Sequence, residues 1–389
     1  MKKKVLFVIE SLGCGGAEKS LVSLLSLLDR QKYDLSIWMI HPKGAFRCLL
    51  PEGVTVIEQP RYNVLESVFF RLSAVMYSLL RHLNSLIAKK EYWGETYYKS
   101  RGWAIKAPKG KWDVVFVYHQ GFVTYIVADK FHDCKKIGWV NADIIKTGYN
   151  IPYNAKFYRK YDCICPVSDT LHGLMDERMP EFSEKYLTVW DIMNPFVTRD
   201  LSKQQVRNLR SSSDEYVFVT TGRLHVLKGY DMALEAARYL KKKGLKFIWY
   251  FIGEGPERNN IENSVRSLDL LSEVILLGIQ TNPYPYMAQA DVYVQTSRHE
   301  GFCMTIAEAK ILGLPIVSTD FDAVYDQIEH ETNGLIAEMD GEKIGEQILR
   351  LVQDDQLRER IKSAVRKEEN TTCKTEVKKV EALIDRLTS

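Results

Sequence analysis

VLFVIESLGCGGAEKS, residues 5–20, runs from five apolar residues through a glycine-rich turn into the start of an amphipathic stretch. A strand that passes through a glycine loop into a helix opens a doubly wound α/β domain, and the loop begins like the dinucleotide fingerprint G-x-G-x-x-G. Gly13, Cys14 and Gly15 supply the first half, but Glu18 stands where the third glycine would let helix and strand approach. The stretch is therefore either a strand-to-helix turn whose glycines serve the backbone alone, or a loop for a different ligand.

The same rhythm continues along the chain. Runs at 5–9, 35–40, 54–57, 113–118, 135–140 and 162–167 are apolar, β-branched or aromatic, and it restarts at 216–221, 246–252, 273–278, 291–296, 314–319 and 333–338. Strands apolar at consecutive positions and separated by helical segments belong to parallel sheets covered on both faces. Asn194-Pro195 and the Ser-rich, charged residues after it read as a linker. The expected organisation is thus α/β, with two doubly wound, Rossmann-like domains at 1–195 and 196–370. A terminal helix, 371–389, packs back on the first domain. Ligands of such sheets bind outside the carboxyl ends of the strands, which places a cleft between two domains that face each other.

At 389 residues the chain is long enough for two cores, and its net charge of +3 is too small, on its own, to argue for nucleic acid, which is not expected as a partner. Seven cysteines without C-x-x-C spacing suit reduced thiols in a cytoplasm. The apolar run after MKKK is too short for an export signal, and no run reaches the ~18 residues of a membrane span. One segment departs from the rhythm. Residues 61–112 hold ten Lys or Arg against three Glu, a net +7, interleaved with Phe69, Phe70, Tyr77, Tyr92, Trp93, Tyr97, Tyr98, Trp103 and Trp112. That mixture suits an anionic membrane surface; the alternative is a long helix, about 65–89, with a solvated basic face.

Two stretches carry chemistry. GRLHVLKG, 222–229, follows a strand and offers Arg223 and Lys228 five residues apart, a planar fork and a movable point charge suited to a diphosphate. EGFCMTIAEA, 300–309, also follows a strand and turns helical from Met304, so free N–H groups at its start favour an anion. Glu300 and Glu308 flank that start, and a carboxylate accepts well from the adjacent hydroxyls of a sugar.

With GGAE at 15–18 and GEGP at 253–256, these stretches resemble, in order, the motifs of the retaining family-four glycosyltransferases of the GT-B fold. The resemblance covers most of the chain. It implies a first domain that takes the acceptor and a second that takes a nucleotide-diphosphate sugar, and transfer with retention of anomeric configuration in cell-surface polysaccharide synthesis. It also implies that no cofactor and no metal are required. Gly15 and Gly16 would approach the donor. Gly222, Arg223 and Lys228, with Gly301, Phe302, Cys303 and Met304, would hold its diphosphate, and Glu308 the ribose hydroxyls. Glu300 would face the transferred sugar. A glycan or lipid-linked acceptor fits a cytoplasmic enzyme at the inner face of a membrane.

The chain departs from that pattern twice. Asn141, in GWVNADI, stands where relatives commonly have His, so a hydrogen bond to a sugar hydroxyl remains available while a titration near neutrality does not. Cys303 replaces a glycine. Asp320-Phe321-Asp322 matches a metal-binding D-x-D but follows a second-domain strand where this fold needs no metal ligand. His119, after 113–118, is either a buried structural histidine or an acceptor-facing one. The rival activity is a nucleotide-sugar epimerase of the same architecture; a dehydrogenase is disfavoured by Glu18.

Overall fold

The computed structural model describes residues 2–13, 15–87, 92–144, 146–368 and 371–389; Cys14, Lys89 and Lys90 lie outside the described residues. The chain forms two compact units, residues 1–192 with 376–389, and residues 193–375.

The first unit is built on β1 (Lys3–Ile9), β2 (Tyr33–Met39), β3 (Thr55–Val56), β4 (Val114–Val117), β5 (Lys135–Val140) and β6 (Cys163–Pro166). They lie in the order β3-β2-β1-β4-β5-β6, every pair parallel. Val5 to Ile9 and Val114 to Val117 are fully buried at consecutive positions, the mark of a sheet covered on both faces. Rings cross between neighbouring strands, Phe7 stacking on Phe116 and Tyr118 on Trp139, each with centroids 4.7 Å apart.

The second unit repeats the plan with β7 (Tyr216–Thr221), β8 (Phe247–Ile252), β9 (Val274–Gly278), β10 (Val292–Gln295), β11 (Ile316–Thr319) and β12 (Leu335–Ala337). Its order, β12-β11-β10-β7-β8-β9, is the first unit's order counted from its own first strand. Each sheet therefore reverses direction between its first and fourth strands, and the loops beyond that point form the crevice where doubly wound sheets bind ligands. In the second unit these loops follow β7 and β10. All twelve apolar runs form strands, and the doubly wound α/β reading stands.

The linker reading needs correction over its first residues only, since 203–215 form neither helix nor strand. Pro195–Ser202 is a helix, capped by Asn194, whose side chain accepts from the N–H groups of Phe196 and Val197 at 3.0 and 3.3 Å. Asn-Pro, a turn signal in isolation, here supplies an N-cap and a first helical residue whose missing N–H costs nothing.

Between β3 and β4 runs the helix Val64–Ile87, followed by Trp93–Tyr97. The terminal helix, Thr371–Thr388, buries Val377, Val380, Leu383 and Ile384, worth about 1.5–3 kcal/mol per side chain. Polar contacts fix its register on the first unit. Glu376 Oε2 accepts from the Trp190 N–H at 2.9 Å, Tyr33 Oη donates to Asp385 Oδ1 at 3.0 Å, and Lys3 Nζ donates to the Thr388 carbonyl at 2.6 Å.

Candidate active site

The loop after β7 is held from below and beside. Gly255 of the loop after β8 sits so close that a Cβ there would lie 2.2 Å from the Leu224 carbonyl oxygen, and Leu224 donates its N–H to Glu254 O at 3.0 Å. Gly229 ends the loop in the left-handed region, φ +64°, where a Cβ would meet Thr296 O at 2.0 Å. Only glycine fits there. The helix Tyr230–Lys242 begins directly after it, and Tyr230 Oη donates to Gly222 O at 3.0 Å.

The loop after β10 ties onto this one. Thr296 Oγ1 donates to Lys228 O at 2.9 Å, and the Arg298 N–H to Leu227 O at 2.8 Å. The Arg298 guanidinium donates to Val226 O at 3.0 Å and grips the Asp231 carboxylate with two nitrogens, at 2.7 and 2.5 Å. A bidentate fork of this kind fixes geometry as well as charge. The result is that Lys228, from one loop, meets Glu300, from the other, with Nζ 2.5 Å from Oε1. The same oxygen accepts from Ser297 Oγ at 2.6 Å and from Gln295 Nε2 at 3.3 Å. Burial is the largest single influence on the Lys228 ammonium and would lower its pKa, but the Glu300 charge, Cys303 and the hydrogen bond to Glu300 together outweigh it and hold the group above the usual lysine value. Lys228 is a fixed cation at neutral pH.

Arg223 is exposed, and among the described residues its guanidinium pairs with no carboxylate. The Lys228 stem passes beside Gly222, where a Cβ would lie 3.8 Å from Lys228 Cδ.

The helix Met304–Ile311 starts at Cys303, which is in the left-handed region at φ 69° with no side chain capping the helix. Its first amides are not taken by a side-chain cap, leaving the positive end of the dipole to an incoming group. Burial, followed by the Glu300 charge, pushes the Cys303 thiol up to about 12, so it is neutral. Phe302 and Met304 are buried beside it, and Gly301 is half-buried. Glu308 is fully buried one turn on, where its Oε1 accepts from Tyr284 Oη at 3.2 Å. Gln295, Ser297 and Arg298 escaped the sequence reading; the available signal was a polar run, QTSR, ending an otherwise apolar strand.

The remaining candidates, apart from Asp320 and Asp322, belong to the first unit. Gly15 caps the helix Gly16–Leu27 without a side-chain bond, and the Glu18 carboxylate folds back so far that a Cβ on Gly15 would lie 2.2 Å from its Oε2. Asn141 follows β5. Its N–H donates to Gln120 Oε1 at 3.1 Å, while its side-chain Oδ1 and Nδ2 are shielded and have no partner among the described residues. His119 Nδ1 stands 3.9 Å from Glu10 Oε2, at the ends of β4 and β1, and burial raises the Glu10 carboxyl, with His119 opposing. Glu10 was not singled out in the sequence, although an acid directly after the first apolar strand is visible there. Asp320 and Asp322 are exposed beyond β11, and among the described residues no three His, Cys, Asp or Glu gather as a metal site.

Residues 202–368 match the family described as "Glycosyl transferases group 1". Among curated proteins, the chain is 24% identical over 341 residues to an uncharacterised glycosyltransferase of Haemophilus influenzae, covering 86% of each. It is 26% identical over 208 residues to the N-acetylgalactosamine-N,N'-diacetylbacillosaminyl-diphospho-undecaprenol 4-alpha-N-acetylgalactosaminyltransferase of Campylobacter jejuni, covering 53% of this chain and 55% of that one. Against two other curated glycosyltransferases the match spans only 28% and 41% of their length. The fold aligns with the crystal structure of Anabaena Alr3699/HepE in complex with UDP and glucose, with a TM-score of 0.74, 16% identity and coverage of 98% and 99%.

Proposed function

We propose that this chain, a glycosyltransferase of GT-B fold carrying a glycosyl transferases group 1 domain at 202–368, moves a hexose-type sugar from a nucleotide-diphosphate donor to a glycan or lipid-linked acceptor, with retention, in cell-surface polysaccharide synthesis. The observation that carries the reading is the Lys228–Glu300 contact at the second unit's switch point, in which Lys228 comes from the loop that also carries exposed Arg223. Breaking a sugar–phosphate bond puts negative charge on the departing diphosphate and positive charge on the ring. Lys228, Arg223 and the open start of the helix at Met304 stabilise the first without a metal, and the Glu300 carboxylate faces the second. Glu308 takes the ribose hydroxyls. In the first unit, Gly15 and Gly16 approach the donor and Asn141 bonds a sugar hydroxyl.

A lipid-linked acceptor would hold the enzyme at a membrane's cytoplasmic face through 61–112. The Campylobacter relative is named for a diphospho-undecaprenol substrate, which favours that class. The epimerase alternative gains nothing from these relatives and is set aside.

The reading is tested by screening nucleotide sugars for thermal stabilisation, where a ligand at 100 times its Kd adds about 2.7 kcal/mol. The stabilising donor is then followed by NMR with chelator present. A retained anomeric product formed only with acceptor is expected; an inverted product, or turnover that vanishes in chelator and returns with manganese, contradicts it.

A further inference from the structure

We infer that the exposed face of the helix Val64–Ile87 is a docking surface for an anionic lipid bilayer, in which its apolar side chains insert below the headgroups while the helix lies along the membrane. Leu65, Val68, Leu72, Val75, Leu79 and Leu83 are all exposed, Leu72 by 53% and Leu79 by 59%. Their spacing of three and four puts them on one stripe several turns long. The opposite face is used by the protein. Ser73 is buried there, Tyr77 meets Tyr97 edge-on at 5.3 Å, and Asn84 Nδ2 donates to Thr96 Oγ1 at 3.0 Å. A contiguous apolar stripe of this length on a water-facing surface marks an interaction site.

Charge chooses the occupant. The segment 61–112 carries +7, so a second copy laid on this face would bring like charges together, whereas anionic lipid complements them. Arg71 is exposed on the same helix, three residues after Val68 and four before Val75, at the edge of the stripe. Not every basic residue is left for lipid. Lys99 pairs with Glu95, Lys106 with Glu66 at 2.5 Å, and the Arg101 guanidinium lies 4.7 Å from the centre of the Phe70 ring. The bilayer contact is therefore carried mainly by the apolar stripe, with Arg71, Lys109 and Lys111 as exposed cations of the segment. Among the described residues no helix is long and apolar enough to cross a membrane, and this helix, with Arg71, Arg81 and His82 in it, suits the interfacial plane.

The inference deepens the proposed lipid-linked reading and rests on it for its purpose, but its test needs no acceptor. The full chain is floated with phosphatidylcholine vesicles with and without phosphatidylglycerol, alongside the double variant Leu72→Gln/Leu79→Gln. Flotation is expected with the anionic vesicles, falling by about tenfold or more in the variant, whose thermal midpoint and donor stabilisation stay unchanged because both side chains are exposed. Three results overturn it: no flotation of the intact chain, equal flotation of the variant, or a self-association of the intact chain that the variant abolishes with flotation unaffected. Flotation without stabilisation by any nucleotide sugar would instead remove the enzymatic reading and leave the surface standing.

Discussion

Lys228 Nζ lies 2.5 Å from Glu300 Oε1, joining the loop after β7 to the loop after β10 at the point where the second sheet reverses direction. The pair couples the cation assigned to the leaving diphosphate with the carboxylate assigned to the sugar. Ser297 and Gln295 bond the same Glu300 oxygen, so on the proposed reading the carboxylate would keep its place if the lysine turned to a phosphate.

Replacing either cation should therefore cut turnover without unfolding the unit. Lys228→Ala and Arg223→Ala are each expected to lose about 10²-fold in kcat. Circular dichroism and the thermal midpoint of both variants should match the parent. Steady-state kinetics within threefold of the parent would remove the residue concerned from the diphosphate site.

Cys303 inverts an ordinary stability order. At φ 69° a residue with a Cβ is strained by about 1–2 kcal/mol, so Cys303→Gly should be more stable than Cys303→Ala, opposite to the preference at most helical positions. Urea unfolding of the two variants decides it. The thiol, pushed up to about 12 by burial and then by the Glu300 charge, should also label more slowly with iodoacetamide at pH 8 than exposed Cys48.

Asp191 gives the first unit a pH signature. Burial, against the opposing Ser20 hydroxyl and with help from the Glu18 charge, raises its carboxyl to about 7. The folded chain keeps a proton that the unfolded chain releases near pH 4. Stability from this group is therefore greatest in acid, falls as the pH rises from about 4 to 7, and is level above. Asp191→Asn should flatten that slope and raise stability at pH 8; an unchanged profile of denaturation midpoint against pH would contradict it.

Asn141 should bind without titrating. Its side-chain amide, without a partner among the described residues, is expected to contribute one hydrogen bond to a sugar hydroxyl, so Asn141→Ala should lose about tenfold in kcat/KM. Asn141→His should introduce an acid limb near pH 6.5 that the parent lacks. Turnover untouched by Asn141→Ala takes this residue out of the site.

The fold was legible because the central strands of both sheets are covered on both faces, so β1, β4 and β8 appear as runs of buried apolar residues with no competing periodicity. Positions that serve two grammars were not. Asn194-Pro195 is a breaker in one context and a cap with a first helical residue in the other, and only the helix that follows it decides. The strand-end loops gave Lys228 and Glu300 as separate motifs 72 residues apart. Their contact depends on how Arg298 clamps Asp231 and two carbonyls, which no local pattern contains. Charge counting failed similarly in 61–112, since it cannot tell Lys99 and Lys106, already paired with Glu95 and Glu66, from Arg71, which is exposed at the edge of an apolar stripe.

The most direct measurement is a crystal structure of the full chain with a nucleoside diphosphate. The diphosphate should lie within hydrogen-bond reach of Lys228 Nζ, the Arg223 guanidinium and the first amides of the helix at Met304, with Glu300 still bonded by Ser297. A diphosphate bound away from residues 222–228 and 300–308, with Lys228 still closed on Glu300, would contradict the account at its centre.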